Sequence, residues 1–422
     1  MQELKIRNTC RLCGSRDMEI AFSLKASPIA DAFVHQMDAP KQELYPLDLC
    51  FCNDCGHLQL IDVINPQILF KEYFFVTSSS LGLVGHFENY ADNLIKQLNP
   101  TPGSLVIDIG SNDGTLLQFF KKFGMNVLGI DPAENIAEKA NSQGIETIPS
   151  FFTTELAGSV KTKYGCAAII TANNVFAHAD DMGAMAAGIS LLLAEDGVFV
   201  FEVSYLVHII ERMLFDTIYH EHLCYHSVKP LVLFFKKYGM ELIEVKYAET
   251  KGGSLHGMAQ LKNGPKAISA NVDELVRMEE QKGYDKINVY QRFYQAIEDV
   301  KKQLKNMLLK IKSRGESMAG YGSSQTCTTL SCHFEINVFF DFIADDNPDK
   351  HGLFSPGDHI PILPSNTLYE KNPDYVIILA WQYASPIIKR HETFIMNGGK
   401  FIVPLPTPLV VSKDNLDVWK NK

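Results

Sequence analysis

The chain has 422 residues, 46% of them hydrophobic, nine cysteines and a formal net charge of −10, enough for two or three domains of roughly 100–200 residues each. The excess of carboxylates excludes a nucleic-acid-binding surface, which needs clustered Lys and Arg, and no apolar run reaches the roughly 18 residues of a membrane span. The polar opening, Met1 to Asn8, carries no apolar signal-peptide core, so a cytoplasmic location with reduced thiols is expected.

Residues 1 to 80 predict a small metal module. Cys10/Cys13 and Cys52/Cys55 form two CxxC turns, each followed by a glycine (Gly14, Gly56). A CxxC turn points two thiolates at one tetrahedral centre, and two such turns complete a closed four-thiolate site, structural rather than catalytic. The 38 residues between Cys13 and Cys52 predict an inserted loop or hairpin, and Cys50 is a spare thiol beside the site. Buried free thiols are the bland alternative.

A helix is predicted over 82–98, stopped by Asn99-Pro100-Thr101-Pro102. A β–α–β pattern follows. Strands are expected at Leu105–Ile109, Asn126–Ile130, Ala167–Thr171 and Gly197–Phe201, with a helix over Leu116–Phe123. Apolar strands alternating with helices predict a parallel sheet covered on both faces. Between the first strand and its helix lies Asp108-Ile-Gly-Ser-Asn-Asp-Gly114. Glycines there let the backbone approach a ligand at a helix N-terminus. Asp131, 21 residues after Gly110, stands where a carboxylate can accept two ribose hydroxyls. The spacing is wrong for the GxGxxG of a dinucleotide site, and Asn112 and Asp113 would crowd a pyrophosphate.

Tyr219-His-Glu-His222 combines a phenol, a carboxylate and imidazoles, residue types suited to proton transfer at neutral pH. In an extended stretch Tyr219 and Glu221 share one face, and His220 and His222 the other. In a turn Tyr219 and His222 converge. The sequence leaves both open, beside the bland reading of a His-rich surface loop. His222 and His226 have helix-ligand spacing, but no Glu follows His222 as HExxH requires, which argues against a catalytic zinc.

From Ile268 to about Arg314 a long amphipathic helical segment is expected, broken near Gly283, with Leu275, Met278, Tyr290, Phe293, Ile297, Val300, Leu304 and Leu308 on one side. Further strands are expected at Glu316–Gly320, Val338–Ile343, Tyr375–Leu379 and Lys400–Val403, making a second, smaller α/β domain.

These motifs resemble the nucleotide-sugar C-methyltransferases, which methylate C-3 of dTDP-4-keto-deoxyhexoses. The resemblance runs over essentially the whole chain: Cys10-Arg-Leu-Cys-Gly14, Leu49-Cys-Phe-Cys-Asn-Asp-Cys-Gly56, Asp108 to Gly114, Asn173-Asn-Val-Phe-Ala-His178, Tyr219 to His222, Lys251-Gly-Gly-Ser254, and Asp345 to Lys350 ahead of Pro356-Gly357. It implies a zinc module (1–80), a class I S-adenosylmethionine methyltransferase domain (81–265), and a helical linker with a Rossmann-like nucleotide-sugar-binding domain (266–422). It also implies structural zinc, S-adenosylmethionine with S-adenosylhomocysteine as product, and a nucleotide-sugar substrate. His222 becomes the general base, Tyr219 the contact to the C-4 oxygen, and Glu221 a group that holds the sugar or orients its neighbours. Asp108, Gly110, Asn112, Gly114, Asp131 and Asn174 line the cofactor site. Three positions depart from the family on the substrate side: Phe75 for a Tyr, Thr326 for a frequent Lys, and His256 for a common Arg. No nucleic-acid or membrane partner is expected, and without a long exposed heptad pattern a monomer is. The alternatives are an O- or N-methyltransferase acting on a nucleotide sugar or another small metabolite, and a non-catalytic zinc-ribbon binding protein.

Overall fold

The computed structural model describes residues 3–36, 40, 42–70, 76–79, 81–248 and 252–420. Phe75 and Lys251, singled out in the sequence, lie outside the described residues. The chain forms two compact units: one of Met1–Glu19, Cys50–Val207 and Leu223–Lys286, the other of Ile20–Leu49, His208–His222 and Ile287–Lys422. It passes from one unit to the other within two strands, β2 (Met18–Ser27) and β3 (Tyr45–Cys52), which follow the short β1 (Leu4–Ile6).

In the first unit, β4 (Leu58–Leu60) and β5 (Asp62–Ile64) belong to the cysteine-bearing segment, with β5 antiparallel to β1. The large sheet is built from β6 (Leu105–Ile109), β7 (Asn126–Asp131), β8 (Thr147–Pro149), β9 (Ala167–Asn173) and β10 (Leu193–Ser204), all parallel. The short β11 (Cys224–Tyr225) pairs antiparallel with β4. An antiparallel hairpin, β12 (Met240–Ala248) and β13 (Ser254–Leu261), completes the large sheet. Its order is β12-β13-β10-β9-β6-β7-β8. The order reverses between β6 and β9, and ligands bind outside the carboxyl ends of strands at such a switch point.

Local chemistry explains the element ends. The helix Leu81–Leu98 stops at Asn99, whose φ of 45° is left-handed, just before Pro100. The Thr153 hydroxyl caps the helix Thr154–Tyr164 by accepting from the Leu156 N–H. Helix Ala270–Lys282 ends at Gly283 with φ 79°, so the long amphipathic segment breaks where the sequence predicts. The core of the large sheet joins Phe87, Ala91 and Leu94 to Leu117, Phe120, Ile169, Val200 and Met258. Burying a side chain of that size contributes about 1.5–3 kcal/mol.

The second unit carries a Rossmann-like sheet. Parallel strands β14 (Met318–Tyr321), β15 (Ile343–Asp345), β16 (Ile362–Pro364), β17 (Tyr375–Ile378) and β18 (Lys400–Val403) are joined by the antiparallel β19 (Leu409–Val411). The order is β16-β15-β14-β17-β18-β19. The preceding helix Ile287–Ser313 buries the six residues that its periodicity singles out. One expectation fails here. Most of Val338–Ile343 is not strand: Asn337–Phe339 is a 3-10 turn, and the paired strand begins only at Ile343. Phe339, Phe340 and Phe342 are buried, so that apolar run reports burial rather than extension.

Candidate active site and zinc module

In the first unit the two CxxC turns fold as matching hairpins. The Gly14 N–H donates to Cys10 O and the Gly56 N–H to Cys52 O, both at 2.9 Å, with φ of 86° and 78° at the two glycines. All four sulfurs lie within 4.8 Å of one another, with Cys10–Cys55 at 3.6 Å and Cys13–Cys52 at 3.5 Å. Tetrahedral zinc with Zn–S near 2.3 Å requires sulfur separations of about 3.8 Å, so the thiols fit the ion. The neighbouring Cys52 thiol, with burial behind it, pushes Cys10 up to about 12. A bound cation holds such a crowded set as thiolates.

The cofactor turn sits at the switch point. Gly110 has φ 72°, and a Cβ there would lie 2.2 Å from Val175 Cγ2. Gly114, φ 76°, precedes the helix Thr115–Lys122 and would collide with Ile145 at 2.9 Å. The buried Asp131 carboxylate accepts from the Asn112 N–H at 2.8 Å and the Ala133 N–H at 3.0 Å. Each of its oxygens has two lone pairs, which leaves capacity for two ribose hydroxyls. Asn174, φ 57°, turns the chain at the end of β9, its N–H donating to Glu202 O. A tight backbone turn at one strand end and a carboxylate at the next fit an adenosyl cofactor. Asn112 and Asp113 have a use that spacing did not suggest: their side chains accept from the Thr77 and Ser78 N–H groups at 2.8 and 3.2 Å. They tie the segment before helix Leu81–Leu98 to the cofactor turn. We expect Gly110→Ala to weaken S-adenosylmethionine binding by about tenfold or more, through strain of about 1–3 kcal/mol in a left-handed turn. Calorimetric titration measures this, and unchanged affinity would contradict the placement.

Asp108 is buried at the end of β6 and accepts from the Thr171 hydroxyl at 2.6 Å. Burial pushes its carboxyl up to about 7 from an ordinary 3.8. The folded protein keeps a proton that the unfolded chain loses near 3.8, so this stabilising contribution is complete below that pH and lost as pH rises through about 7. Asp108→Asn, which removes the titration, should flatten the fall in Tm of the ligand-free protein between pH 5 and 8. An equally steep fall would assign the pH dependence elsewhere.

In the second unit the Tyr219–His222 stretch is a turn, closed by the His222 N–H donating to Tyr219 O at 2.9 Å. Of the two conformations left open by the sequence, the converging one holds: the Tyr219 and His222 rings are 4.1 Å apart. His220 goes elsewhere. It is buried, its Nε2 is 3.1 Å from Pro46 O, and burial pushes it down to about 4. His222 is half-buried, with Nδ1 2.7 Å from Thr217 O. A carbonyl only accepts, so Nδ1 carries the hydrogen and Nε2 keeps the basic lone pair. Gln325, which sequence reasoning passed over, meets both other residues: its Oε1 accepts from the Tyr219 hydroxyl at 3.1 Å, and its Nε2 donates to Glu221 Oε1 at 2.8 Å. At 104 and 106 positions away, no local signal could have found it. Of the departures, Thr326 Oγ1 lies 3.0 Å from Ser324 Oγ in the second unit. His256, in the first, stacks edge-on to Tyr90 and is pushed down to about 4 by burial.

The methyltransferase sheet with its switch-point turn and the four-cysteine cluster define a class I S-adenosylmethionine-dependent methyltransferase with a structural zinc module. Three family models match: a zinc binding domain at residues 10–70, a methyltransferase domain at 85–245 and a C-methyltransferase C-terminal domain at 249–406. The chain is 35% identical over 412 residues to C-methyltransferase NovU of Streptomyces niveus, covering 96% of this chain and 97% of that protein. The chain belongs to this C-methyltransferase family. Solved structures similar to part of it include magnesium protoporphyrin IX methyltransferase from Synechocystis with bound S-adenosylmethionine (16% identity, 47% of this chain and 89% of that one, TM-score 0.33). Another is an S-adenosylmethionine-dependent methyltransferase from Anabaena variabilis (15%, 42% and 84%, TM-score 0.34). No helix among the described residues is long and apolar enough to cross a membrane.

Proposed function

We propose that this enzyme methylates C-3 of a nucleotide-activated, dTDP-linked 4-keto-deoxyhexose through an enolate, giving a branched deoxysugar. The observation that carries the reading is His222: its Nδ1 hydrogen goes to Thr217 O, so the ring's basic lone pair is on Nε2. The resemblance to the sugar C-methyltransferases points the same way. A 4-keto group acidifies the C-3 hydrogen, His222 Nε2 takes that proton, and Tyr219 contacts the C-4 oxygen as negative charge develops there. Glu221 orients the sugar and its neighbours. Bound S-adenosylmethionine supplies a methyl group already activated on a sulfonium. Asp108, Gly110, Asn112, Gly114, Asp131 and Asn174 hold it, so positioning supplies much of the remaining acceleration.

In this reading segment 1–80 is the zinc module, 81–265 the methyltransferase domain, and 266–422 the domain that takes the nucleotide. The protein works as a cytoplasmic monomer, with neither nucleic acid nor membrane as a partner. The test is mass spectrometry after incubation with S-adenosylmethionine and dTDP-4-keto-6-deoxyglucose or its 2-deoxy analogue, in deuterated water. One methyl gained on the sugar supports the reading, and the better substrate assigns C-2. Deuterium exchange without methylation keeps the base and changes the sugar. Neither event with dTDP-, GDP- or UDP-linked 4-keto sugars overturns it.

A further inference from the structure

Tyr219 has one hydroxyl hydrogen, and in the structure that hydrogen is already given away. It goes to Gln325 Oε1 at 3.1 Å, while Gln325 Nε2 donates to Glu221 Oε1 at 2.8 Å. The orientation of the amide follows from its neighbours. An ionised carboxylate only accepts, so Glu221 takes the NH2 end and the carbonyl end is left for the phenol. Burial pushes the Asp31 carboxyl up, with Lys350 and the Gln325 side chain opposing, so a second acidic group lies near the amide.

We propose that Gln325 is a positioning residue for the methyl transfer: it holds the Tyr219 hydrogen on its amide oxygen in the resting enzyme and gives it up to the substrate's C-4 oxygen as the enolate forms. This rests on the reading of Tyr219, Glu221 and His222 given above. Two acceptors compete for the Tyr219 hydrogen. A neutral amide oxygen competes well with a neutral ketone for one hydrogen bond, but poorly with a developing oxyanion, since bonds to charged acceptors are roughly twice as strong. Rotation about the Tyr219 Cζ–Oη bond redirects the hydrogen with no covalent bond broken: the hydrogen bond to Gln325 is exchanged for one to the C-4 oxyanion, and His222 still takes the C-3 proton. The exchange is favourable only once charge develops on the C-4 oxygen, so Tyr219 contributes to kcat rather than to substrate affinity.

The scaffold suits this task. Gln325 opens the helix Gln325–Phe334, and Thr329, one turn on, lies on the same face. The Thr329 hydroxyl donates to Ile218 O at 2.9 Å, and Phe334 stacks on Phe215 at 5.0 Å. The Trp381 indole N–H donates to Asp216 at 2.7 Å. These contacts flank the 215–222 stretch and fix the amide against it. Among the described residues, the charged and titratable groups near the amide and its two partners include Glu221, Asp31, His222 beside Tyr219, and Lys350, which acts on Asp31.

Three measurements test the inference. In Gln325→Met the Tyr219 hydroxyl loses its amide acceptor and turns to the ground-state ketone, so KM should fall about 2- to 10-fold, the worth of one hydrogen bond, while kcat changes little. In a Tyr219→Phe background the same substitution should leave KM unchanged, because no hydrogen is left to redirect. In Gln325→Glu the amide donor is lost and a carboxylate faces Glu221 and Asp31, so the acid limb of kcat against pH should move up by about one pH unit. An unchanged KM in Gln325→Met, a fall in KM that persists in the Tyr219→Phe background or an unmoved limb would overturn the proposal. The bond is also read without substrate: the carbon-13 Cζ resonance of Tyr219, assigned by its loss in Tyr219→Phe, should shift in Gln325→Met. An unshifted resonance overturns the proposal whatever the enzyme's substrate. A shifted resonance with no turnover in the wild-type enzyme upholds the hydrogen bond and sinks the sugar reading instead.

Discussion

His222→Asn should fold, bind S-adenosylmethionine as the parent does, and lose about 10²- to 10⁴-fold in turnover, the range that a positioned general base contributes. The asparagine amide can still donate to Thr217 O, which now accepts at 2.7 Å, so the turn keeps its closing contact. What disappears is the basic lone pair of Nε2. Exchange of the substrate's C-3 hydrogen with solvent should therefore fall in step with methylation. Rates near those of the wild type, or full exchange with methylation lost, would remove His222 from proton abstraction.

The second large effect concerns stability. Cys13→Ser replaces one sulfur of a set whose members all lie within 4.8 Å, leaving three thiolates and a hard hydroxyl for an ion that prefers sulfur. Because metal binding at such a site is part of the folding free energy, the variant should lose stoichiometric zinc and about 10 °C or more in Tm. Strong chelation of the wild-type protein should give the same direction without any substitution. Zinc still bound mole for mole and an unchanged Tm would refute the four-thiolate assignment. Residual S-adenosylmethionine affinity in the variant reports on the methyltransferase domain separately.

Features whose chemistry is local were legible in the sequence. A CxxC turn with its following glycine is a self-contained device, and Gly14 and Gly56 adopt the positive φ that it needs. The strand-turn-helix at Asp108 to Gly114 is equally local, as is the break at Gly283. Features decided by partners far along the chain were not. The Tyr219–His222 stretch could be turn or strand by its own residues. His220 is held by the carbonyls of Tyr45 and Pro46, 175 and 174 positions away, and that anchoring accompanies the turn. Asn112 and Asp113 looked like obstacles to a phosphate because their targets, the Thr77 and Ser78 amides, are 35 positions upstream. The β12–β13 hairpin was missed because its strands mix charged and apolar residues, with Glu241, Glu244 and Lys246 among them. The phenylalanines at 339 and 340 were over-read as strand, since a short apolar run records burial without saying which backbone carries it. Gln325 joins the candidate site from a helix in the C-terminal α/β sheet, and only tertiary structure brings it to Tyr219 and Glu221.

The most direct test of the account is where the methyl group goes. The enzyme is incubated with carbon-13-methyl S-adenosylmethionine and the dTDP-linked 4-keto sugar, and the product is examined by heteronuclear NMR. The account predicts a labelled methyl bonded to C-3, with the C-3 hydrogen gone and long-range correlations to C-2 and C-4. A labelled methyl at a methoxy or N-methyl shift, with the C-3 hydrogen retained, would contradict it.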